Sequence, residues 1–150
     1  MRKKFSLALL AVAAVMGHSG VQAQELITHD AAAVAALPSS TSPLKITLRP
    51  LLQGGDVVAA RVWLPANTDI APHPHPAGKV AVVTVLSGDF KIGLGNAFNE
   101  SVLKPVAPGG VIVFRDNDPH HFARTGNAPV ELLLIASPKN TVTPALLGAK

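Results

Sequence analysis

The sequence contains no cysteine, which excludes disulfide scaffolds, thiol catalysis and cysteine-ligated zinc or iron–sulfur sites. Any metal must therefore be held by nitrogen or oxygen ligands. Internal repeats, coiled-coil heptads and blocks of like charge are also missing from the 150 residues. The length fits one ordinary domain with a core of its own.

The chain has no surplus of charge once its first residues are set aside. A basic start at residues 2–4 and an apolar run at 5–16, shorter than the ~20 residues of a membrane span, predict a secretory signal peptide over residues 1–23. An uncleaved N-terminal anchor is the alternative. Cleavage after Ala23 would give a periplasmic or secreted protein.

Most of the basic character of the sequence belongs to this leader. It carries three of the thirteen Lys and Arg residues, so ten remain against nine Asp and Glu, a net charge of +1. A basic stripe that could bind nucleic acid or an anionic membrane would have to survive maturation. We therefore expect no nucleic-acid partner, and no membrane partner after signal cleavage.

Beyond residue 43 the pattern becomes short β-type runs separated by turn residues. The predicted strands cover residues 44–52, 57–64, 80–86, 90–94, 103–106, 111–115, 121–125 and 130–135. This spacing predicts a single-domain, all-β antiparallel barrel or sandwich over residues 44–137. A flexible arm at 24–43, with a short helix at 31–37 capped by Thr28 or Asp30, would precede it, and a loose tail at 138–150 would follow.

Two of these strands are apolar on both faces. Residues 80–86 read Val-Ala-Val-Val-Thr-Val-Leu and residues 132–135 read Leu-Leu-Leu-Ile. Strands of this kind lie inside a double-layered roll or at a subunit interface. Together with the fold, they lead us to expect a homodimer.

The clustered histidines are the candidate metal ligands. His73 and His75 are two residues apart among prolines, which favour an extended backbone that presents both rings on one face. Two neutral imidazoles on a stiff strand suit a divalent ion. The alternative is a solvent-exposed Pro/His turn without a role.

The chain around these histidines resembles the cupin superfamily, in which a His-x-His motif ends in glycine and a second motif opens with glycine. Residues 83–123, which contain VTVLSG, GLG, PGG and HHFA in order, are especially similar to small exported cupin-domain proteins. The resemblance is looser over residues 44–135. It implies a jelly-roll β-barrel.

The resemblance also implies the metal ligands. His73 and His75 match the first motif, and counting eleven residues from Gly110 gives His121 as the third ligand. Counting from Gly109 gives His120 as the alternate. Because neighbouring residues alternate across a strand, only one of the two can face the interior.

Departures from the family pattern affect the chemistry. The first motif normally supplies a glutamate, yet Ala81 stands there, and no acid occurs between His75 and Asp89. Asp116 and Asp118 could provide a replacement carboxylate, although Asp-Asn-Asp-Pro is also an ordinary turn composition. No catalytic residue is assigned.

The sequence thus predicts an exported cupin-domain protein that binds a divalent transition metal (Fe, Zn, Ni, Cu or Mn) through three histidines. The resemblance allows a metal-dependent dioxygenase or isomerase that acts on a small polar substrate. The alternative is a non-catalytic cupin module for a small ligand or partner protein, with a degenerate metal site.

Overall fold

The computed structural model describes residues 27–140 except 76 and 117, and the side chain of residue 53 is also left undescribed. The predicted signal peptide and most of the predicted tail lie outside the described residues. Within them the chain is organised around β-strands. In order, the elements are α1 (Ala31–Ala35), β1 (Ser40–Thr41), β2 (Thr47–Gly54), β3 (Val57–Leu64), β4 (Asp69–His73), β5 (Lys79–Ser87), β6 (Phe90–Leu94), a 3₁₀ turn (Glu100–Val102), β7 (Lys104–Val106), β8 (Val111–Phe114), β9 (His121–Thr125) and β10 (Val130–Pro138).

The strands form two antiparallel sheets. The larger sheet has the order β1-β2-β3-β10-β5-β8, and the smaller has the order β4-β9-β6-β7. Buried residues from both sheets, among them Val62, Ile70, Phe90 and Leu132, form one hydrophobic cluster. The prediction of an all-β antiparallel fold is confirmed.

The period-two pattern of the strands explains which face is buried. In β3, Ala60, Val62 and Leu64 are at most 8% exposed, whereas Trp63 between them is 39% exposed. Successive side chains of a strand point to opposite faces, so β3 turns three apolar residues to the core. Complete burial of a side chain the size of Val or Leu contributes about 1.5–3 kcal/mol.

The described part of the N-terminal arm contains the predicted short helix and a two-residue strand. Asp30 caps α1 by accepting a hydrogen bond from the amide of Ala33 at 2.8 Å, and Ser40–Thr41 pairs with the start of β2. The strand predicted from residue 44 begins at Thr47 instead, because Lys45 adopts a left-handed conformation with φ of 62° in the turn that joins β1 to β2.

Strand β4 was not among the predicted strands. Its sequence, Asp-Ile-Ala-Pro-His, contains a proline, which weakens the strand signal. Its pairing with β9 is interrupted by a register shift between Ile70 and His73. Bulges of this kind re-aim a side chain at the end of a strand, and the side chain concerned here is that of His73.

Gly88 closes the turn between β5 and β6. It has a φ of 85°, and a Cβ atom at this position would lie 2.4 Å from the carbonyl oxygen of Pro129. Only glycine meets both constraints without a shift of the backbone.

None of the helices in the described part of the chain could serve as a membrane span, and α1 has five residues.

Candidate metal centre

The structure brings together three of the predicted histidines. His73 ends β4, His75 lies two residues beyond it, and His121 begins β9 and is paired in register with His73. The ring centroid of His121 is 4.0 Å from that of His73 and 4.3 Å from that of His75. His73 and His121, 48 positions apart in sequence, meet because β4 and β9 are neighbours in the smaller sheet.

His120 lies apart from this cluster. It is exposed, its Nδ1 is 2.9 Å from the side-chain oxygen of Asn96, and its carbonyl oxygen accepts a hydrogen bond from Gly95. His121, in contrast, is 8% exposed. Of the two alternatives left open by the sequence, His121 is the one that joins His73 and His75.

Phe114 is a part of the site that sequence reasoning missed. Its ring stacks on that of His75 with a centroid distance of 3.8 Å and an interplanar angle of 26°, and it lies 4.6 Å from that of His121. Phe114 ends β8 and is buried. The alternation of β8 predicts that it faces inward, but nothing in the sequence reveals its contact with the histidines.

Burial keeps two of the imidazoles neutral. Desolvation, followed by the neighbouring His73 and His75, lowers the pKa of His121 to about 3. Desolvation, followed by the nearby His73, lowers the pKa of His75 to about 4. Neutral imidazole is the form that binds a metal ion.

The hydrogen bonds of the three rings leave nitrogen atoms free. His75 Nε2 and His121 Nδ1 are buried without a hydrogen-bond partner. His73 Nδ1 lies 2.8 Å from the carbonyl oxygen of Ala71. Because a carbonyl can only accept, Nδ1 of His73 donates to it, which leaves Nε2 as the ring nitrogen that can bind a ligand.

The three histidines offer the kind of donor atoms that a metal ion needs, but these atoms do not point to a common centre. Unpartnered buried nitrogens and neutral rings are what a histidine-ligated ion requires. As the side chains stand, however, no group of three or more His, Asp or Glu residues in the described part of the chain is placed to hold a metal. The rings contact one another instead, so binding would require them to turn.

The histidines line a cavity with a volume of about 270 Å³ between the two sheets. The larger sheet contributes apolar side chains that include Leu48, Val62, Val83, Ile112, Leu132 and Leu134. The smaller sheet contributes Ile70, Phe90, Ile92 and Ala123. Apart from the three histidines, every described residue that lines the cavity is apolar.

The acidic residues near the site have structural partners. Asp116 accepts hydrogen bonds from the amide of Gly78 and from Lys139 Nζ. The bond from Lys139 holds the pKa of the Asp116 carboxyl below its ordinary value. Asp118 accepts from the amide of Arg115 at 2.6 Å. Neither carboxylate lines the cavity. Ala81, at the position of the family's glutamate, is buried and 3% exposed.

A second depression, of about 350 Å³, is lined partly by Lys91 and Arg124. The Arg124 guanidinium lies 2.6 Å from both Asp69 and Glu100, and these partners raise its pKa. The arginine at the larger depression is therefore already neutralised. The smaller, histidine-lined cavity is the better candidate for chemistry.

Comparison with known proteins identifies the architecture. The sequence profile of the cupin domain family matches residues 60–136. No protein of curated function matches the chain at a significant level of sequence similarity.

Solved structures agree on the fold. A cupin domain from Schizosaccharomyces pombe is similar at a TM-score of 0.57 and 12% identity, over 71% of this chain and 72% of that one. A predicted oxalate decarboxylase from Thermotoga maritima is similar at a TM-score of 0.57 and 18% identity, over 70% of this chain and 96% of that one. A sugar phosphate isomerase of the cupin superfamily from Silicibacter pomeroyi is similar at a TM-score of 0.55 and 17% identity, over 74% of this chain and 75% of that one. At these identities the likeness establishes the jelly-roll fold alone, as the sequence predicted.

Proposed function

The chain belongs to the cupin domain family, and from that premise we propose that it binds a divalent transition metal through His73, His75 and His121. The observation that carries the proposal is the pair of buried, unpartnered nitrogens, His75 Nε2 and His121 Nδ1. An unpartnered buried polar atom is costly, at about 1–3 kcal/mol, unless a ligand satisfies it. Fe, Zn, Ni, Cu and Mn are the candidate ions.

Each part of the chain has a defined task in this proposal. The three imidazoles bind the ion, and the Ala71 carbonyl fixes the tautomer of His73. Phe114 packs against two of the rings and shields them from water. A bound metal with open coordination positions supplies Lewis-acid or oxygen-activating chemistry. The described lining contains no residue that could act as a separate general acid or base besides the histidines.

Metal analysis of tag-free protein tests the proposal. The wild type should carry about one equivalent, and His75→Ala and His121→Ala should lose it. His120→Ala is the matched control, because His120 is adjacent in sequence but exposed and bound to Asn96, and it should retain the metal. Substoichiometric metal in the wild type, or full retention in both site variants, would contradict the proposal.

A non-catalytic module that binds a small ligand is the second candidate. It is favoured by Ala81 at the glutamate position and by the absence of a carboxylate among the described lining residues. Oxygen uptake with metal-loaded protein across a panel of small diols and carboxylates separates the two. Turnover that disappears in His121→Ala would establish an enzyme, whereas saturable binding without turnover would establish a module.

We also infer that the protein is exported and dimeric. The leader at residues 1–23 supports export, and a mature N-terminus at Gln24 in a periplasmic or secreted fraction is the expected result. The outer face of the larger sheet carries Trp63, Val111 and Ile135, each about 40% exposed, together with the Arg61–Glu131 ion pair, and large apolar side chains exposed on one face favour an interaction surface.

Sedimentation tests the dimer. Ile135→Lys should shift the protein toward monomer, because it places a charge on the central strand of the proposed interface. Val102→Lys, at an equally exposed residue outside the larger sheet, should leave the dimer intact. A wild type that sediments as a monomer at micromolar concentration would contradict dimerisation.

A further inference from the structure

We propose that the ligand of the histidine-lined cavity is a small molecule with an apolar body, about the size of one substituted ring, and a single polar head. A monocyclic phenol belongs to this class, whereas a polyol or a sugar phosphate does not. The inference concerns the same cavity and rests on the proposed function. It replaces the small polar substrate expected from the sequence with a more specific class.

The walls of the cavity are apolar. Val62, Leu64, Val83 and Leu132 line the cavity from the larger sheet, and each is at most 8% exposed. No described lining residue offers a hydroxyl, amide or charged group. A polyol would leave most of its hydroxyls without partners against such walls, and an unmade hydrogen bond costs more than apolar contact returns.

In the metal-free cavity, charge excludes a phosphate ester more strongly. Its dianion needs cationic or amide donors, and none of the described lining residues carries a cationic group outside the histidines. The nearby Lys79 donates instead to the carbonyl of Asp56 at 2.8 Å. Arg124 is engaged by Asp69 and Glu100 and lines the other depression.

The polar groups of the cavity are concentrated at one end. His75 and His121 both contact the ring of Phe114, and each has a buried nitrogen without a partner. His121 is more than nine-tenths buried. This geometry serves one polar head and leaves the rest of the ligand against hydrocarbon.

The volume sets the size of the body. Apolar cavities of about 150 Å³ already bind benzene, so the 270 Å³ available here accommodates a ring with one or two substituents. The larger sheet provides a wall residue for testing this. Ile112 lines the cavity, and its neighbour on β8, Val111, is 41% exposed on the opposite face.

Binding of 4-methylphenol to metal-depleted full-length protein, followed by calorimetry and by amide chemical shifts, tests the inference. The comparison compounds are myo-inositol and ribose 5-phosphate. We expect saturable binding of 4-methylphenol only. Ile112→Thr should weaken it about tenfold, because it replaces an ethyl group at the cavity wall with a hydroxyl. Val111→Thr is the matched control and should change affinity less than about twofold.

Metal depletion separates this inference from the proposed function. Tighter binding of inositol or the phosphate, equal weakening by both threonine variants, or no saturable binding of any probe would overturn the ligand class. Selective methylphenol binding by a protein that takes up no metal would uphold the ligand class while the metal proposal fails. If the protein takes up stoichiometric metal but binds ribose 5-phosphate more tightly than 4-methylphenol, the metal proposal is upheld and the ligand class is refuted.

Discussion

Acidification should destabilise the metal-free protein through His121. The ring is 8% exposed, and its pKa is about 3 in the folded chain, compared with about 6.5 when the chain is unfolded. Because the folded pKa is the lower one, the unfolded state takes up the proton first as the pH falls. The stabilising contribution of the neutral ring is therefore complete above about pH 6.5 and is lost progressively toward pH 3.

The magnitude follows from the width of this window. Each pH unit inside it costs about 1.4 kcal/mol for one group, so His121 alone should cost about 2 kcal/mol between pH 7 and pH 5. His75 acts in the same direction, but it is only partly buried, and solvent screening reduces its share to about 1 kcal/mol. Together they remove about 3 kcal/mol, a large part of the 5–15 kcal/mol that stabilises an ordinary domain.

Urea unfolding in the presence of a chelator, at pH 7 and at pH 5, measures this loss. At pH 5 the carboxylates are still largely ionised in both states, so the difference reports on the histidines. His121→Gln should reduce the loss by about 2 kcal/mol, and His75→Gln should reduce it less. His120→Gln, at the exposed neighbouring ring, should retain it. A loss of the same size in His121→Gln as in the wild type would refute the reasoning.

Three further predictions concern stability and are measured by the same unfolding experiment at pH 7. Gly88→Ala should cost at least about 3 kcal/mol, because it combines a positive φ with a clash against a backbone carbonyl. The control, Gly54→Ala, has open space around it and should cost less than about 1 kcal/mol. Equal costs of the two variants would contradict this. Phe122→Ala should cost about 3–5 kcal/mol, since the ring is fully buried, and a cost below about 1 kcal/mol would show that the core collapses around it. Asp69→Asn should cost less than about 1 kcal/mol despite the two short contacts of this carboxylate with an arginine on β9, because the pair is solvent-exposed; a larger cost would contradict that estimate.

The sequence predicts most of the fold because the fold depends on local patterns. The run predicted as a strand at residues 57–64 is β3, and turn residues bounded β5, β6 and β9. The failures have local causes of their own. Strand β4 is stabilised by its pairing with β9, from which 47 residues separate it in the sequence, rather than by its own composition, and the left-handed turn at Lys45 moves the start of β2 to Thr47.

The candidate site could be predicted only in its motif residues. The spacing of His73, His75 and His121 is visible in one dimension, and the structure places these three rings together. The stacking of Phe114 on His75 depends on how β8 and the segment after β4 face each other, which no local pattern encodes. The apolar character of the cavity is likewise distributed over both sheets.

The missing glutamate and the apolar walls bear on the same electrostatic question. Three neutral imidazoles would leave a divalent ion with its full charge of +2 in surroundings that supply no carboxylate among the described lining residues. Burying such a charge uncompensated is expensive. An anionic head on the ligand would supply the compensation that Ala81 cannot, at the end of the cavity where His75 and His121 contact Phe114. An apolar body with one ionisable oxygen therefore satisfies both features at once, and its affinity should rise when the metal is present.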